Sequence, residues 1–216
     1  MDVKGQRVLI FGDSLTARSG APVQVDITEG TDRRSSSPGD LLASQLLAAG
    51  AAAARINARV GRSAWNFWQR EEAAKLIAAD LAWQPTIVFV MLGTNDIGLN
   101  LTKDRQALER IRDAYAAGGA QLVGIGPPAF SVERLAEGSP GVVAMHRKVF
   151  GPDRVVDARP LTQDLLEAPG RAGDHVHFTA AGAAALAPRL AAAIAGLPAA
   201  PRKGAPWKPL GIGFGL

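Results

Sequence analysis

Cysteine is absent from the 216 residues of this chain. Disulfide bonds, thiolate catalysis and cysteine-based zinc sites are therefore excluded, although this absence does not decide the cellular compartment. Aromatic residues make up only 6% of the chain, and no dense run of lysine and arginine accompanies its net charge of +4. A surface that binds nucleic acid combines clustered basic residues with aromatic side chains, so we predict no nucleic-acid partner.

Long apolar runs are missing as well. Residues 1–7 are polar, and the apolar run that follows them is too short for a signal peptide or a membrane span. We therefore expect no transmembrane segment and a cytoplasmic location, although a secreted protein whose signal peptide had been removed would look the same. With 47% hydrophobic and 20% charged residues, the composition is that of a soluble domain with a buried core, and it does not indicate an oligomeric state.

Strands are indicated where short apolar runs end at turn residues. The run at residues 8–11 is uninterrupted and stops at Gly12. The run at residues 85–92 is uncharged and rich in β-branched side chains, which is typical of a buried parallel strand. The remaining strands are predicted at residues 53–60, 121–125 and 154–156.

Helical patterns alternate with these strands, at residues 38–49, 63–83, 103–117, 140–150 and 179–195. Alternation of this kind predicts a single-domain three-layer α/β/α sandwich with a five-stranded, mostly parallel sheet. We assign residues 1–197 to this domain. Residues 198–216 form a tail rich in proline and glycine, and its apolar residues favour docking on the domain over free solvation.

Residues that suit a catalytic site follow three of the predicted strands, namely Ser14, Gly61 and Asn95. Asp174 and His177 stand just before the last helix. The carboxyl ends of parallel strands meet at one edge of a sheet, so these residues are expected to converge. Ester hydrolysis needs a nucleophile, a base, a group that orients the base, and donors to the oxyanion, and the chain offers each of these.

Four sequence blocks, in the same order, resemble the SGNH (GDSL) hydrolase superfamily. They are Gly12-Asp13-Ser14-Leu15, Gly61, Gly93-Thr94-Asn95-Asp96 and Asp174-x-x-His177. The resemblance implies a flavodoxin-like sheet with the strand order 2-1-3-4-5. It also implies an esterase without a cofactor that acts on acyl or acetyl esters of sugars, lipids or small alcohols.

The resemblance assigns a role to each residue. Ser14 would be the nucleophile, His177 the general base, and Asp174 the carboxylate that orients His177. The oxyanion hole would consist of the main-chain N–H groups of Ser14 and Gly61 and the side-chain amide of Asn95. The lack of a Cβ at Gly61 would let the backbone approach the substrate closely.

Several residues near these blocks have competing interpretations. His175 is an alternative base, but it lacks the Asp-x-x-His spacing. Asp13 and Asp96 are expected to be structural, tying turns through hydrogen bonds. His146 lies far from the blocks in a helical pattern and is expected at the surface.

Other side chains suggest substrate contacts as a second interpretation. Trp65 and Trp68 are predicted to be core residues, with stacking of Trp65 on a sugar as the alternative. The arginines near the blocks are interpreted as solvated charges, with an anionic substrate as the alternative; they are Arg18, Arg33, Arg34 and Arg62. No convincing metal cluster is indicated among the Asp and His residues.

The irregular stretch at residues 15–40 leaves the strand beside Ser14 and is a candidate wall of the substrate site. Apolar side chains alternate around Val25, which indicates a short strand or hairpin arm. Two rival functions use the same fold: a non-catalytic binding module, and a nucleotide or phosphate binder. The complete set of catalytic residue types argues against the first, and the lack of a phosphate-binding glycine-rich loop argues against the second.

Overall fold

The computed structural model describes residues 1–17, 26–29 and 37–198, and of residues 26–29 the backbone alone. Within these residues, six parallel strands form one sheet in the order β2-β3-β1-β4-β5-β6. The strands are β1 (Arg7–Gly12), β2 (Asp26–Glu29), β3 (Ala53–Ala58), β4 (Ile87–Met91), β5 (Gln121–Ile125) and β6 (Val155–Val156).

The five predicted strands lie in the order 2-1-3-4-5, so the predicted topology is confirmed. Strand β2 is added at the edge, inside the stretch at residues 15–40. It pairs parallel with β3 and is therefore a crossover strand, not a hairpin arm. The tail at residues 199–216 lies outside the described residues, so its docking and the domain boundary at residue 197 stay predictions.

Two apolar cores cover the two faces of the sheet, because successive side chains of β1 point to opposite sides. Val8 and Ile10 pack in one cluster, and Leu9 and Phe11 pack in the other. Helices α1 (Pro38–Ala48) and α6 (Ala180–Ala195) cover the first face. The second face is covered by α2 (Ala64–Trp68), α3 (Ala73–Ala82), α4 (Leu101–Ala117) and α5 (Glu133–Phe150).

These layers confirm the three-layer sandwich. In the part of the chain that the structure describes, no helix is long and apolar enough to cross a membrane.

The single helix predicted at residues 63–83 is wrong, because the structure has α2 and α3 with a turn at residues 69–72. Phe67, Ala73 and Ile77 are all buried in the same core. Along one straight helix, Phe67 and Ala73 would point about 120° apart, since each residue adds a rotation of about 100°. The break therefore allows both helices to face the sheet.

Helix α5 is longer than predicted and runs through Pro140 without ending. Proline has no N–H to donate to the carbonyl of Ala136, one turn earlier. The Ser139 hydroxyl donates to that carbonyl at 3.2 Å instead. A side chain thus satisfies the acceptor that the proline leaves open, and the expected boundary near residue 139 does not form.

His146, in α5, is fully buried, so its predicted surface position is wrong. Its ring meets Phe150 edge-on, with ring centroids 5.5 Å apart, and it faces Gly124 of β5. Neither ring nitrogen has a hydrogen-bond partner among the described residues. Burial lowers the pKa of His146 to about 4, because the charged imidazolium would lose its hydration.

We predict that His146 makes the fold sensitive to acid. The unfolded chain takes up a proton on this ring near pH 6.5, whereas the folded chain does so only near pH 4. Stability linked to His146 is therefore complete above about pH 6.5 and is lost as the pH falls towards about 4, by roughly 3 kcal/mol. Urea unfolding at pH 7 and 4.5 should show a smaller acid-dependent loss in His146→Leu than in the wild type.

The matched control is His175→Leu, because the His175 side chain is 49% exposed. Urea unfolding of this variant at the same two pH values gives the effect of removing an imidazole that is not buried. Parallel profiles for the wild type and His146→Leu would contradict the prediction.

Candidate active site

The ends of three neighbouring strands are level with one another. Gly12 of β1 stands opposite Ala58 of β3 and Met91 of β4. A Cβ at Gly12 would lie 2.6 Å from the Met91 carbonyl oxygen, so only glycine allows this approach. The chain continues from these ends to Ser14, Gly61 and Asn95, and the predicted convergence at one edge of the sheet follows from this register.

Ser14 and His177 meet at this edge although they are 163 residues apart in sequence. His177 Nε2 lies 2.9 Å from Ser14 Oγ, and His177 Nδ1 lies 2.6 Å from Asp174 Oδ2. The three side chains thus form one continuous line of hydrogen bonds. In this line the carboxylate can accept from Nδ1–H, which leaves Nε2 to accept the serine proton.

Asp174 is held by the main chain as well as by the His177 ring. Its Oδ1 accepts from the N–H groups of Val176 at 3.0 Å and His177 at 2.9 Å. Partial burial by itself raises the pKa of Asp174, but the hydrogen bonds from His177 and Val176 outweigh it and lower the pKa to about 2. The carboxylate is therefore ionised across the whole neutral range.

His175, the alternative base, pairs with Glu167. Its Nδ1 lies 3.1 Å from Glu167 Oε2, and its main chain has a φ of 58°. The partner of the His177 ring at this point is Ser14 instead. The structure therefore brings His177, and not His175, to the serine.

Two main-chain N–H groups at the site have no acceptor within the described residues, those of Ser14 and Gly61. Gly61 has a φ of 74°, and an added Cβ would meet no described atom within 4 Å. Its positive φ, rather than crowding by the protein, therefore explains the glycine. Asn95 Nδ2 donates to the Arg62 carbonyl at 3.1 Å, which orients the amide and leaves its second hydrogen available.

A model of the GDSL-like Lipase/Acylhydrolase family matches residues 10–185, a span that includes all four sequence blocks. The chain belongs to this family. It is accordingly a carboxylic ester hydrolase, as the sequence blocks predict. A comparison with curated protein sequences gave no match.

Solved structures of esterases share the fold of this GDSL-like hydrolase. An acetylxylan esterase from Geobacillus stearothermophilus is 17% identical, with a TM-score of 0.66, covering 90% of this chain and 96% of that chain. The psychrotrophic esterase EstA from Pseudoalteromonas sp. is 17% identical, with a TM-score of 0.61, covering 88% of this chain and 97% of that chain. At this identity the likeness establishes the fold.

Arg62 follows Gly61 and is a structural residue that sequence reasoning missed. The interpretation as a solvated charge is wrong, because the residue is only 2% exposed. Its Nη1 donates to the carbonyls of Gly12 at 3.1 Å and Asn57 at 2.9 Å, and its carbon Cζ lies 4.5 Å from the Phe11 ring centroid. The side chain thus ties the ends of β1 and β3 together beneath the site of the GDSL-like hydrolase.

Buried carboxyl groups hold the turns around the site, as predicted for Asp13 and Asp96. Asp13 Oδ1 accepts from the Leu15 N–H at 2.9 Å, and burial raises the pKa of Asp13 to about 6. Asp96 Oδ1 accepts from the Ala64 N–H at 2.9 Å, and burial raises the pKa of Asp96 well above its usual range. Asp96 therefore fastens the start of α2 to the turn that carries Asn95.

The two tryptophans of α2 are partly buried and pack against the second core, and the fully buried residues of this helix are Ala64 and Phe67. The prediction that both tryptophans are core residues is therefore confirmed in part, because both side chains contact the core without being fully buried. Lys103 Nζ lies 5.3 Å from the Trp65 ring centroid. A positively charged side chain of the protein therefore already contacts the ring on which a sugar could stack.

A cleft of about 420 Å³ opens beside Gly61. It is lined by Arg59, Val60, Gly61, Arg62, Asn66, Arg70 and Glu72. Arg18, Arg33 and Arg34 lie outside the described residues. Among the residues that are described, no three or more His, Asp or Glu side chains form a group that could hold a metal ion.

Proposed function

We propose that this hydrolase cleaves carboxylic esters through an acyl-enzyme on Ser14, with His177 as general base and Asp174 as the group that orients it. The observation that carries the proposal is the line of hydrogen bonds from Asp174 through His177 to Ser14, with distances of 2.6 and 2.9 Å. A serine hydroxyl is a weak nucleophile by itself, and a hydrogen-bonded base activates it.

The reaction proceeds in two half-reactions. As Ser14 Oγ bonds to the ester carbonyl carbon, its proton passes to His177 Nε2, and Asp174 stabilises the imidazolium. The tetrahedral intermediate then collapses, the C–O bond to the alcohol breaks, and Nε2 returns the proton to the leaving oxygen. Water attacks the acyl-enzyme in the same way, releasing the carboxylic acid and restoring the Ser14 hydroxyl.

The oxyanion of each intermediate is proposed to bind the N–H groups of Ser14 and Gly61 and the amide of Asn95. Support comes from the two main-chain donors without an acceptor among the described residues and from the second amide hydrogen of Asn95. Fixed donors aimed at a developing charge stabilise the transition state more than the substrate.

The proposed substrates are short-chain acyl esters of sugars or similar polyhydroxylated alcohols. The cleft beside Gly61 is lined mainly by guanidinium, amide and carboxylate groups, which suit hydroxyl groups better than an alkyl chain. The acetylxylan esterase with the same fold acts on an acetylated sugar polymer, in keeping with this proposal.

The first prediction concerns the nucleophile and the base. Ser14→Ala and His177→Ala should each lower kcat for p-nitrophenyl acetate by at least about 1,000-fold, because each removes a group that takes part in bond formation. The melting temperature of Ser14→Ala should stay close to that of the wild type. A serine-directed phosphonate should label the wild type once and Ser14→Ala not at all.

The matched control is His175→Ala, which removes an imidazole from the same loop but not from the serine. It should keep nearly full activity. A folded Ser14→Ala variant that turns over the ester, or an inactive His175→Ala beside an active His177→Ala, would refute the assignment.

The second prediction concerns the oxyanion donor. Asn95→Ala should lower kcat by roughly 100-fold to 1,000-fold with little change in KM, because the amide acts mainly when charge develops on the oxygen. Steady-state kinetics with p-nitrophenyl acetate measure both constants. Asn100→Ala is the control, since Asn100 caps α4 and should affect stability only. An effect of Asn95→Ala on KM alone would make Asn95 a substrate-binding residue.

The third prediction concerns the substrate. The kcat/KM values for p-nitrophenyl esters should fall from acetate through butyrate to octanoate by about 100-fold or more, because the polar walls offer a long chain no apolar burial. Acetylated xylo-oligosaccharides should release acetate. Equal or rising values towards octanoate would exclude the short-chain assignment while leaving the Ser14 mechanism in place.

A further inference from the structure

The residues proposed as base and orienting carboxylate lie on one short loop, the His177 hairpin (residues 170–178). Its ends are joined by an antiparallel bridge between Arg171 and Phe178, and the Ala172 N–H donates to the His177 carbonyl at 2.8 Å. These hydrogen bonds define the internal shape of the hairpin. They do not set its distance from Ser14, which belongs to the far end of the sequence.

The Arg171 side chain connects this hairpin to the rest of the domain. It is only 3% exposed, and it donates three hydrogen bonds to main-chain carbonyl groups. Nε donates to Leu165 at 3.0 Å, Nη2 to Ala129, and Nη1 to Val176. The Val176 carbonyl is part of the peptide bond that leads into His177, so one donor holds the main chain from which the imidazole projects.

The other two acceptors belong to segments that are packed on the sheet. Ala129 lies in the chain that leaves the end of β5, and its own N–H donates to Thr162 Oγ1 at 2.9 Å. Leu165 is buried at the end of a short 3-10 helix. A single planar group therefore spans the gap between the edge of the sheet and the peptide bond before His177.

We propose that Arg171 is a positioning residue, which holds His177 at hydrogen-bonding distance from Ser14 by fixing the Val176 carbonyl to the segments after β5. The inference rests on the proposed roles of Ser14 and His177. Arg171 does not touch the reacting atoms, and it acts only through the position of the hairpin.

The shape of the guanidinium explains why this residue is arginine. Its N–H groups diverge in one plane, whereas an ammonium group concentrates its donors at one point and cannot reach three separated carbonyls in the same way. The Phe178 ring centroid lies 3.7 Å from Arg171 Cζ and holds the plane from one side. Burial lowers the pKa of Arg171 to about 10, so the group is still charged at neutral pH.

Loss of Arg171 should move the hairpin without disrupting the pair that it carries. The hydrogen bonds between Asp174 and His177 all lie within the hairpin. Without Arg171 this pair would move as a unit relative to Ser14. The predicted defect is thus a longer His177–Ser14 distance and not a changed base.

The test is the Arg171→Met variant, assayed with p-nitrophenyl acetate well below its melting temperature. We expect kcat to fall about 100-fold, because small displacements of a catalytic group have effects of this size. KM should change less than about threefold, since the substrate cleft beside Gly61 is not involved.

The matched control is Arg189→Met. Arg189 also donates to a main-chain carbonyl, that of Leu161, and pairs with Asp164. Its side chain is 37% exposed, and its described hydrogen-bond partners, Leu161 and Asp164, lie outside the hairpin. This variant should keep kcat within about twofold of the wild-type value. Its melting temperature shows how much stability an arginine of this kind contributes without an effect on catalysis.

Two further variants separate geometry from charge. Arg171→Lys keeps the positive charge but not the planar set of divergent N–H groups, and its kcat should remain at least tenfold below that of the wild type. Arg171→Ala should recover part of its activity when ethylguanidinium is added, and ethylammonium should not have this effect. Full activity of a folded Arg171→Lys would overturn the proposal, and so would its failure to fold, because the residue would then serve the fold as a whole.

The outcomes for the two proposals are distinct. If Ser14→Ala or His177→Ala keeps its turnover, the proposed function fails whatever Arg171→Met does. If both are inactive while Arg171→Met has a lower melting temperature but a kcat within threefold of the wild type, only the positioning role is refuted.

Discussion

The rest of the site depends on the alignment of the carboxyl ends of β1, β3 and β4 at one edge of the sheet. Hydrogen bonding between parallel strands fixes Gly12 opposite Ala58 and Met91, and the close approach at Gly12 tolerates no side chain. Each turn that follows therefore starts at the same height on the same edge. A shift of one strand by one residue would turn its side chains to the opposite face and separate the turns.

Two buried arginines connect separate segments of the chain at this edge of the sheet. Arg62 joins the ends of β1 and β3, and Arg171 joins the His177 hairpin to the chain beyond β5. Removing a cation from water costs several kcal/mol, so a buried arginine is favourable only where its donors are well satisfied. Here they meet main-chain carbonyls of segments far apart in sequence. The hydrogen bonds therefore fix tertiary distances, which local turn geometry alone would leave free.

Much of the fold could be predicted from local patterns. Apolar runs such as residues 8–11 indicate buried strands, and their alternation with helical patterns indicates a layered parallel sheet. The errors have identifiable physical causes, some of them local and some set by packing between distant segments. The turn between α2 and α3 exists because Phe67 and Ala73 must face the same sheet, and Pro140 stays helical because Ser139 satisfies the Ala136 carbonyl. His146 shares the apolar face of α5 with Val142 and Val149. This helical spacing is visible in the sequence, but the polarity of histidine favoured a surface position in the prediction.

The sequence by itself determined the residue types, their order and their placement at strand ends: Ser14, Gly61, Asn95, and the pair Asp174 and His177. These depend on local rules, because turn residues stop strands and a carboxylate three residues before a histidine can reach its ring. Only the tertiary structure decided which histidine meets the serine, and that Arg62 and Arg171 lie buried beneath the site. Both outcomes depend on distances between segments remote in sequence, which are set by packing across the sheet.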